Sequence, residues 1–202
     1  MAAAFIEFGL NMPVGKGDPQ SRVASKALGA GALLDIGIYP LTWASLILDK
    51  SPARQHKASP DLTATMTFYD ETKPAEKIDE QVTVVLKYSD LKAQAICSAS
   101  LLYKSGEEFA RIEGSKGSIA IGGIAASKPR FLIVRIQNEE EKKKLDFDVP
   151  GFGLHYEADA VGENIRAGKQ ENATCSWRDT LTVMRRLDAV RKTCSLTYPQ
   201  DE

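Results

Sequence analysis

The apolar run Gly29–Leu48 contains a carboxylate and a phenol four residues apart, Asp35 and Tyr39 in the order D-I-G-I-Y. On a helix, residues at this spacing lie on one face. The carboxylate could bind a substrate hydroxyl, and the phenol could exchange a proton with it. A free phenol has a pKa of about 10, so it needs a neighbouring cation to act as a base near neutral pH. The alternative is structural: Asp35 caps the helix and Tyr39 fills the core.

Composition and charge limit the classes of protein that fit this sequence. The chain has 202 residues and a formal net charge of -1, which provides no electrostatic attraction for nucleic acid or an anionic membrane. The longest apolar run, Ile36–Leu48, is too short for a membrane span. The N-terminus lacks the basic start of a signal peptide. The three cysteines form no C-x-x-C pair, so we expect free thiols and a cytoplasmic location.

Hydrophobic patterns predict a strand at Ala4–Gly9, a helix at about Leu33–Leu48, a series of strands and then two helices. Pro40 either kinks the first helix or opens its second part. The middle strands are separated by turns with no helix between them, which favours antiparallel hairpins. They cover residues 62–69, 81–88, 92–102, 109–113, 118–121 and 131–137, and the later helices cover 156–167 and 179–192. The predicted fold class is α+β, a mostly antiparallel open sheet with helices on one face.

Three local patterns add detail to this outline. The run Glu139–Lys144 is charged throughout and predicts a solvated turn. Ser176 precedes the last helix and is a candidate cap. That helix repeats apolar residues at helical spacing, which predicts a core-facing stripe. The stripe consists of Leu181, Met184, Leu187 and Val190.

Motifs that would hold a cofactor or a metal are missing from the sequence. Gly29-Ala30-Gly31 looks like the start of a dinucleotide loop, but the third glycine position holds Leu34, and a polar loop precedes the motif. The two histidines, His56 and His155, are far apart, which leaves little from which to build a zinc site or a Ser-His-Asp triad. We therefore expect this chain alone to bind no metal and no cofactor.

Four longer segments carry a family resemblance. They are, in order, G-A-L-L-D-I-G-I-Y-P, I-D-E-Q-V-T-V-V-L-K-Y, I-E-G-S-K-G-S-I-A-I and G-F-G-L-H-Y-E-A-D-A-V. They resemble the Gfo/Idh/MocA oxidoreductases, nearest to the branch of dimeric dihydrodiol dehydrogenases and NADP-dependent D-xylose dehydrogenases. The resemblance covers nearly the whole chain and implies a glyceraldehyde-3-phosphate-dehydrogenase-like C-terminal domain. In that family a Rossmann domain binds NADP and carries an E-K-P motif, and neither is found in this sequence.

The resemblance also implies roles for individual residues. The residue matching Tyr39 exchanges the hydroxyl proton while hydride moves to or from the nicotinamide, and a lysine of E-K-P works beside it. Asp35 would bind a substrate hydroxyl, and the segment with His155 and Tyr156 borders the substrate cleft. Trp43 is a candidate for stacking on the substrate, with core packing as its alternative. A polar helix start is the alternative explanation for the segment that begins at His155.

We therefore expect residues 1–202 to form one substrate-binding and oligomerisation domain without a dinucleotide-binding domain. The first hypothesis is a truncated or split oxidoreductase that acts on a sugar or trans-dihydrodiol. The second is a cofactor-free cyclase, isomerase or small-molecule binding protein that uses Tyr39 and Asp35 as an acid–base pair. A third is a pseudoenzyme that only dimerises. The expected partners are a small-molecule substrate and a second copy joined through the open face of the sheet, with no nucleic acid and no membrane.

Overall fold

The computed structural model describes residues 3–54, 58–70, 72 and 77–201. The expectation for His56 therefore lies outside the described residues. The eight strands are β1 (Ala3–Gly9), β2 (Asp61–Phe68), β3 (Asp79–Tyr88), β4 (Ala93–Ser100), β5 (Glu108–Gly114), β6 (Gly117–Ala125), β7 (Lys128–Ile136) and β8 (Lys143–Asp146). The α-helices are α1 (Ile38–Ala44), α2 (Leu154–Arg166) and α3 (Trp177–Thr193), and short 3₁₀ turns cover Val14–Lys16, Lys26–Leu28 and Pro199–Asp201.

All eight strands form one open sheet in the order β2-β3-β4-β1-β5-β6-β7-β8. Every neighbouring pair is antiparallel except β1 and β4, which are parallel. The prediction of a mostly antiparallel α+β fold is therefore confirmed. The first strand lies inside the sheet, between two sets of hairpin-connected strands, because β4 pairs with one of its edges and β5 with the other.

Strand alternation assigns one face of the sheet to the core. In β3 the side chains of Val82, Val84 and Leu86 are buried, while Thr83 and Val85 are only partly buried on the opposite face. Successive side chains in a strand point to opposite faces, so this burial pattern fixes the orientation of the whole sheet through its register. The helix that contains α1 lies against the buried face, and α3 packs beside it and against β2.

The first helical segment is not uniform. Leu33–Gly37 is a π-helical turn, α1 follows, and Ser45–Asp49 is a second π-helical turn. Pro40 lies in the first turn of α1, so it opens the second part of the helix, one of the two possibilities expected for it. A proline lacks a backbone donor and crowds the carbonyl four residues before it. The wider π turn directly before α1 is a common way to accommodate such an interruption.

Two details differ from the sequence-based expectations. Part of the charged run Glu139–Lys144 is not a turn, because its last two lysines begin the edge strand β8. Lys143 and Lys144 are exposed there, and charged side chains are typical of edge strands. The stripe on α3 is only half buried: Leu187 and Val190 are in the core, whereas the other two members, Leu181 and Met184, are 50% and 44% exposed. Ser176 does cap α3, in a capping box with Asp179.

The stretch Lys26–Asp49 is long and apolar enough, by length and composition alone, to cross a membrane. The same test is passed by core helices, and 56% of the qualifying window is buried inside this fold. Leu33, Leu41 and Leu48 are almost completely buried here. Packing against the sheet therefore accounts for the apolar character of the segment.

Candidate active site

The two predicted catalytic residues are brought together at the beginning of the long helical segment. Asp35 lies in the π turn Leu33–Gly37, and Tyr39 is the second residue of α1. The Tyr39 side chain is half-buried, and its ring meets the ring of Phe8 edge-on, with centroids 5.2 Å apart. Among the described residues no group hydrogen-bonds the Tyr39 hydroxyl. Phe8 on β1 therefore holds the ring, while the hydroxyl is free to meet a substrate.

Asp35 has a partner that the sequence did not reveal. Its Oδ1 accepts a hydrogen bond from Nη1 of Arg22, in the polar loop that precedes the helix. The Asp35 side chain is 16% exposed and the Arg22 side chain 68% exposed. The loop residue therefore provides an exposed cation that pairs with the carboxylate. A basic residue in a polar loop was visible in the sequence, but nothing local indicated that it would pair with a residue 13 positions away.

A buried carboxylate fixes the start of this helix. Asp79, the first residue of β3, is fully buried, and its Oδ2 accepts a hydrogen bond of 2.7 Å from the backbone N–H of Leu33. Its Oδ1 has no hydrogen-bond partner among the described residues. Burial raises the pKa of Asp79 to about 6, and the hydrogen bond from Leu33 opposes that rise. Sequence reasoning missed this residue, although an Asp at the start of an apolar strand was a visible irregularity.

The Asp79 side chain also lies against Gly31, the second glycine of the pair before the helix. Gly31 has φ of 131°, and a Cβ at this position would lie 2.0 Å from Asp79 Oδ1. The space in front of the helix is thus filled by a protein carboxylate. A dinucleotide loop offers a free helix N-terminus to the pyrophosphate. The described residues at Gly29–Gly31 therefore do not fit a dinucleotide phosphate.

Trp43 lies one turn beyond Tyr39, and its contacts are with the protein. The indole N–H donates a 2.9 Å hydrogen bond to the carbonyl oxygen of Ala126, in the turn between β6 and β7. Its ring packs at a tilt against Phe109, with centroids 5.5 Å apart. The side chain is half-buried. Trp43 therefore connects the helix to the sheet, and only part of its surface is left to contact a substrate.

His155 and Tyr156 lie in the first turn of α2. Both are exposed, and their rings contact each other with centroids 4.1 Å apart. In the part of the chain that the structure describes, no hydrogen bond, ion pair or ring contact joins either residue to Asp35 or Tyr39. Asp35 and Tyr39 thus lie in consecutive turns of the first helical segment, and His155 and Tyr156 lie on a different helix.

α2 has an apolar face that is largely exposed, and Lys128 Nζ lies 4.6 Å from the ring centroid of Phe152 just before the helix. None of its residues is buried in this fold. Leu154, Val161 and Ile165 are 69%, 54% and 72% exposed, and Phe152 just before the helix is 78% exposed. An apolar stripe at helical spacing normally faces a core, and a large exposed apolar patch marks an interaction surface. We refer to Phe152, Leu154, Val161 and Ile165 as the α2 face.

No group of three or more His, Cys, Asp or Glu side chains that could hold a metal ion occurs among residues 3–54, 58–70, 72 and 77–201. The three cysteines are free thiols. Burial raises the pKa of Cys97 to about 12. The Cys97 thiol is therefore kept neutral, and neutral thiols are poor nucleophiles and metal ligands.

A mixed, mostly antiparallel open sheet with helices on one face defines the class of this protein as α+β. Residues 4–120, more than half of the chain, match the GFO/IDH/MocA C-terminal domain, and the chain belongs to that family. Asp35, Tyr39 and Asp79 all lie within the matched residues. The recognition made from the sequence motifs is therefore confirmed.

Two named relatives show the breadth of the match. A D-xylose 1-dehydrogenase (NADP(+)) from Hypocrea jecorina is 26% identical over 192 residues, 89% of this chain and 47% of that protein. A trans-1,2-dihydrobenzene-1,2-diol dehydrogenase from Xenopus tropicalis is 30% identical over 188 residues, 88% of this chain and 51% of that protein. The chain therefore spans about half the length of these curated relatives.

Solved structures agree with the fold. An aldose-aldose oxidoreductase from Caulobacter crescentus, complexed with glycerol, matches with a TM-score of 0.74 and 19% identity, over 96% of this chain and 53% of that one. A 3-ketoreductase from Actinomadura kijaniata, in complex with TDP-benzene and NADP, matches with a TM-score of 0.66 and 16% identity, over 95% of this chain and 52% of that one. At these identities the likeness shows the fold alone.

Proposed function

We propose that this chain provides the substrate side of an NADP-dependent dehydrogenase that acts on a sugar or a trans-dihydrodiol. The observation that carries the proposal is the placement of Asp35 and Tyr39 within the family-matched residues, at the start of the helix that covers the sheet. Two relatives with these names, a xylose and a dihydrodiol dehydrogenase, support the choice of substrate class. Both substrates present vicinal hydroxyl groups, which a carboxylate and a phenol can bind as hydrogen-bond partners.

The chemistry of the chain's own residues concerns binding and proton transfer. Asp35, oriented by Arg22, accepts a hydrogen bond from a substrate hydroxyl. The Tyr39 hydroxyl lies one helical turn away and exchanges a proton with the substrate oxygen whose carbon is oxidised or reduced by hydride transfer. A phenol can act as a base near neutral pH only when a cation stabilises the phenolate. When NADP is bound by another part of the protein, it supplies the hydride acceptor or donor.

The described residues fit a dinucleotide poorly, which supports the proposal that this chain binds the substrate and another part of the protein binds NADP. The glycine pair at Gly29–Gly31 faces Asp79, and β1 and β4, the parallel pair, are joined through two other strands and not by a β-α-β unit. The relatives are about twice as long as the part that matches here. We propose that a dinucleotide-binding unit, of the kind expected to occupy their remaining length, covers the α2 face.

NADPH is expected not to bind to the 202-residue chain alone. Calorimetric titration of the chain with NADPH should show no saturable heat, while the full-length relative from Hypocrea jecorina, titrated in parallel, should bind it. Micromolar binding to the isolated chain would contradict the proposal. Turnover of a sugar or dihydrodiol without any nicotinamide would favour the alternative, a cofactor-free cyclase or isomerase built on the same Tyr39 and Asp35.

We further propose that two copies join through the outer face of the sheet, opposite α1. Thr83, Val85 and Lys87 belong to this face, since their neighbours in β3 are buried against the helices. Phe5, in the middle of the sheet, is 38% exposed there and lies under the guanidinium of Arg111, 4.9 Å from its ring centroid. A face that mixes apolar and polar side chains in this way is better suited to contact with a protein partner than to contact with bulk water.

Light scattering should give a mass near twice the 22.0 kDa of one chain. Replacing Val85 by Glu places a charge in the proposed interface and is expected to return the mass to that of one chain without loss of the circular-dichroism spectrum. Leu154→Glu on the α2 face is the matched control and should leave the dimer intact. A wild-type mass near that of one chain at micromolar concentration would refute the interface.

A further inference from the structure

We propose that a cavity at the far end of the covering helix binds a small phosphate monoester or inorganic phosphate. The cavity has a volume of about 510 Å³ and lies between the C-terminal end of the first helical segment and the N-terminal half of α3. The polar residues of its walls come from both elements and from the loop before β2. They include Ser45, Asp49, Lys50, Arg54, Arg178 and Arg185.

The floor of the cavity is an electrically balanced cluster. Asp49 Oδ1 accepts hydrogen bonds from Arg54 Nη1 at 2.6 Å and from Arg186 Nη2 at 3.0 Å. Arg54 also reaches Asp90, with its Nε 3.4 Å from Oδ2. Burial opposes charge on Arg186, but the contact with Asp49 outweighs it and the pKa of Arg186 is raised. The formal charges of the two arginines and two aspartates balance, so this cluster adds no net charge to the cavity.

A second ion pair closes one side of the cavity. Lys50 Nζ lies 3.1 Å from Asp179 Oδ2 and also donates to the carbonyl oxygen of Thr174. Asp179 in turn accepts hydrogen bonds from the backbone N–H and the hydroxyl of Ser176 at the start of α3. Its negative charge is thus neutralised by a lysine and by the N-terminal end of a helix. This carboxylate is not free to repel an anion entering the cavity.

Two further arginines, Arg178 and Arg185, add positive charge to the cavity wall. Arg178 and Arg185 both line the cavity and are exposed, and no acidic partner for either occurs among the described residues. They lie seven residues apart on α3, with Thr182 between them, so the three side chains share one face of the helix. Two guanidinium groups on one wall match the two charges of a phosphate monoester near neutral pH, and arginine is well suited to this recognition.

The cavity is distinct from the candidate active site. Asp35 and Asp49 mark opposite ends of the helical segment Leu33–Asp49. Fourteen residues at about 1.5 Å each separate the two by about 20 Å. A phosphate bound here would not touch Tyr39 or its substrate. The site therefore goes beyond the proposed dehydrogenase function, and it can succeed or fail independently of it.

Calorimetric titration with inorganic phosphate and with a hexose 6-phosphate tests the proposal. At low ionic strength we expect saturable binding of at least one of them, weakened by added sodium chloride because the contacts are electrostatic. The double variant Arg178→Gln with Arg185→Gln should weaken binding by about tenfold or more, since it removes two charge-assisted hydrogen bonds. Arg166→Gln, which removes an exposed arginine from α2, is the matched control and should leave the affinity unchanged.

The outcomes separate the possible ligands. Tighter binding of the hexose 6-phosphate assigns the site to a phosphate ester, and equal binding of both assigns it to the phosphate group itself. Absence of saturable binding, or equal losses in the double variant and in Arg166→Gln, would overturn the proposal. Circular dichroism confirms folding of the variants, and because neither arginine is buried, the double variant should keep the thermal midpoint of the parent protein.

Discussion

Replacing Tyr39 by phenylalanine is expected to reduce dehydrogenase turnover by a factor of about 100 to 10,000, the range that general acid–base groups contribute. The change removes only the hydroxyl. The ring should keep its edge-on contact with Phe8, whose centroid lies 5.2 Å away. Because no described residue hydrogen-bonds the Tyr39 hydroxyl, the fold should not change. The loss should appear in kcat, with a much smaller effect on KM, since the hydroxyl acts mainly in the transition state.

The assay follows NADP reduction with a sugar and with a trans-dihydrodiol, in the presence of a dinucleotide-binding unit. Tyr103→Phe is the matched control, because Tyr103 is 42% exposed and remote in sequence from the helix. Its turnover should equal that of the parent protein. Asp35→Asn is expected to raise KM, because it weakens both the pairing with Arg22 and the hydrogen bond to substrate. Activity of Tyr39→Phe within a few-fold of the parent would remove Tyr39 from the mechanism.

Replacing Asp79 by asparagine is expected to make the protein more stable at pH 7 and to leave its stability at pH 4 nearly unchanged. The pKa of Asp79 is raised by burial from 3.8 to about 6 in the folded chain. Between these values the folded state binds a proton that the unfolded state has already released. The stability contributed by the protonated group is therefore complete below about pH 4 and is lost as pH rises through about 6.

The size of the effect follows from the difference in pKa. A difference of about 2 corresponds to about 2 to 3 kcal/mol in the free energy of unfolding. The asparagine keeps an oxygen that can accept the hydrogen bond from Leu33 and carries no charge, so it should abolish this part of the pH dependence. Urea unfolding of the parent protein and the variant at pH 4, 5, 6 and 7 measures the free energy of unfolding at each pH. These pH values are about one unit apart and bracket the titration.

Two results would contradict this account of Asp79. One is an unchanged pH dependence in Asp79→Asn, and the other is a variant less stable than the parent protein at pH 7. Asp61→Asn provides the control, since Asp61 is exposed at the start of β2. It should follow the parent curve at every pH. Burial is the largest cause of the raised pKa values of Cys194 and Tyr198, and the charge of Asp79 adds to it, so the thiol titration of Cys194 should shift downward in Asp79→Asn.

The exposed α2 face and the Asp79 carboxylate in front of the first helix both bear on where a dinucleotide would be bound. Asp79 fills the space in front of the helix, and the α2 face is an exposed apolar surface on which the proposed dinucleotide-binding unit would dock. His155 and Tyr156 begin the same helix. A unit docked on α2 would place these two residues at its border with this chain, which is where a substrate cleft between two units would lie.

Much of the fold was encoded in short-range patterns. The alternation in Gln81–Tyr88 predicted a strand with one buried face, and the capping residue Ser176 marked the start of α3. Asp35 and Tyr39 lie in consecutive helical turns, as their spacing suggested, their roles remain a prediction, and the motif around them identified the family. These features depend on residues within a few positions of one another, so a sequence can display them directly.

Only the tertiary structure decided the partners of those residues. Arg22 meets Asp35 across 13 positions, and Asp79 meets Leu33 across 46. The parallel pairing of β1 with β4 and the assignment of Val85 to the outer face depend on the path of the chain through the sheet. The exposure of α2 is of the same kind, because its apolar spacing predicts a buried face and only packing determines what covers it. Local periodicity specifies an element and its faces, whereas contacts between distant segments arise from how the elements pack.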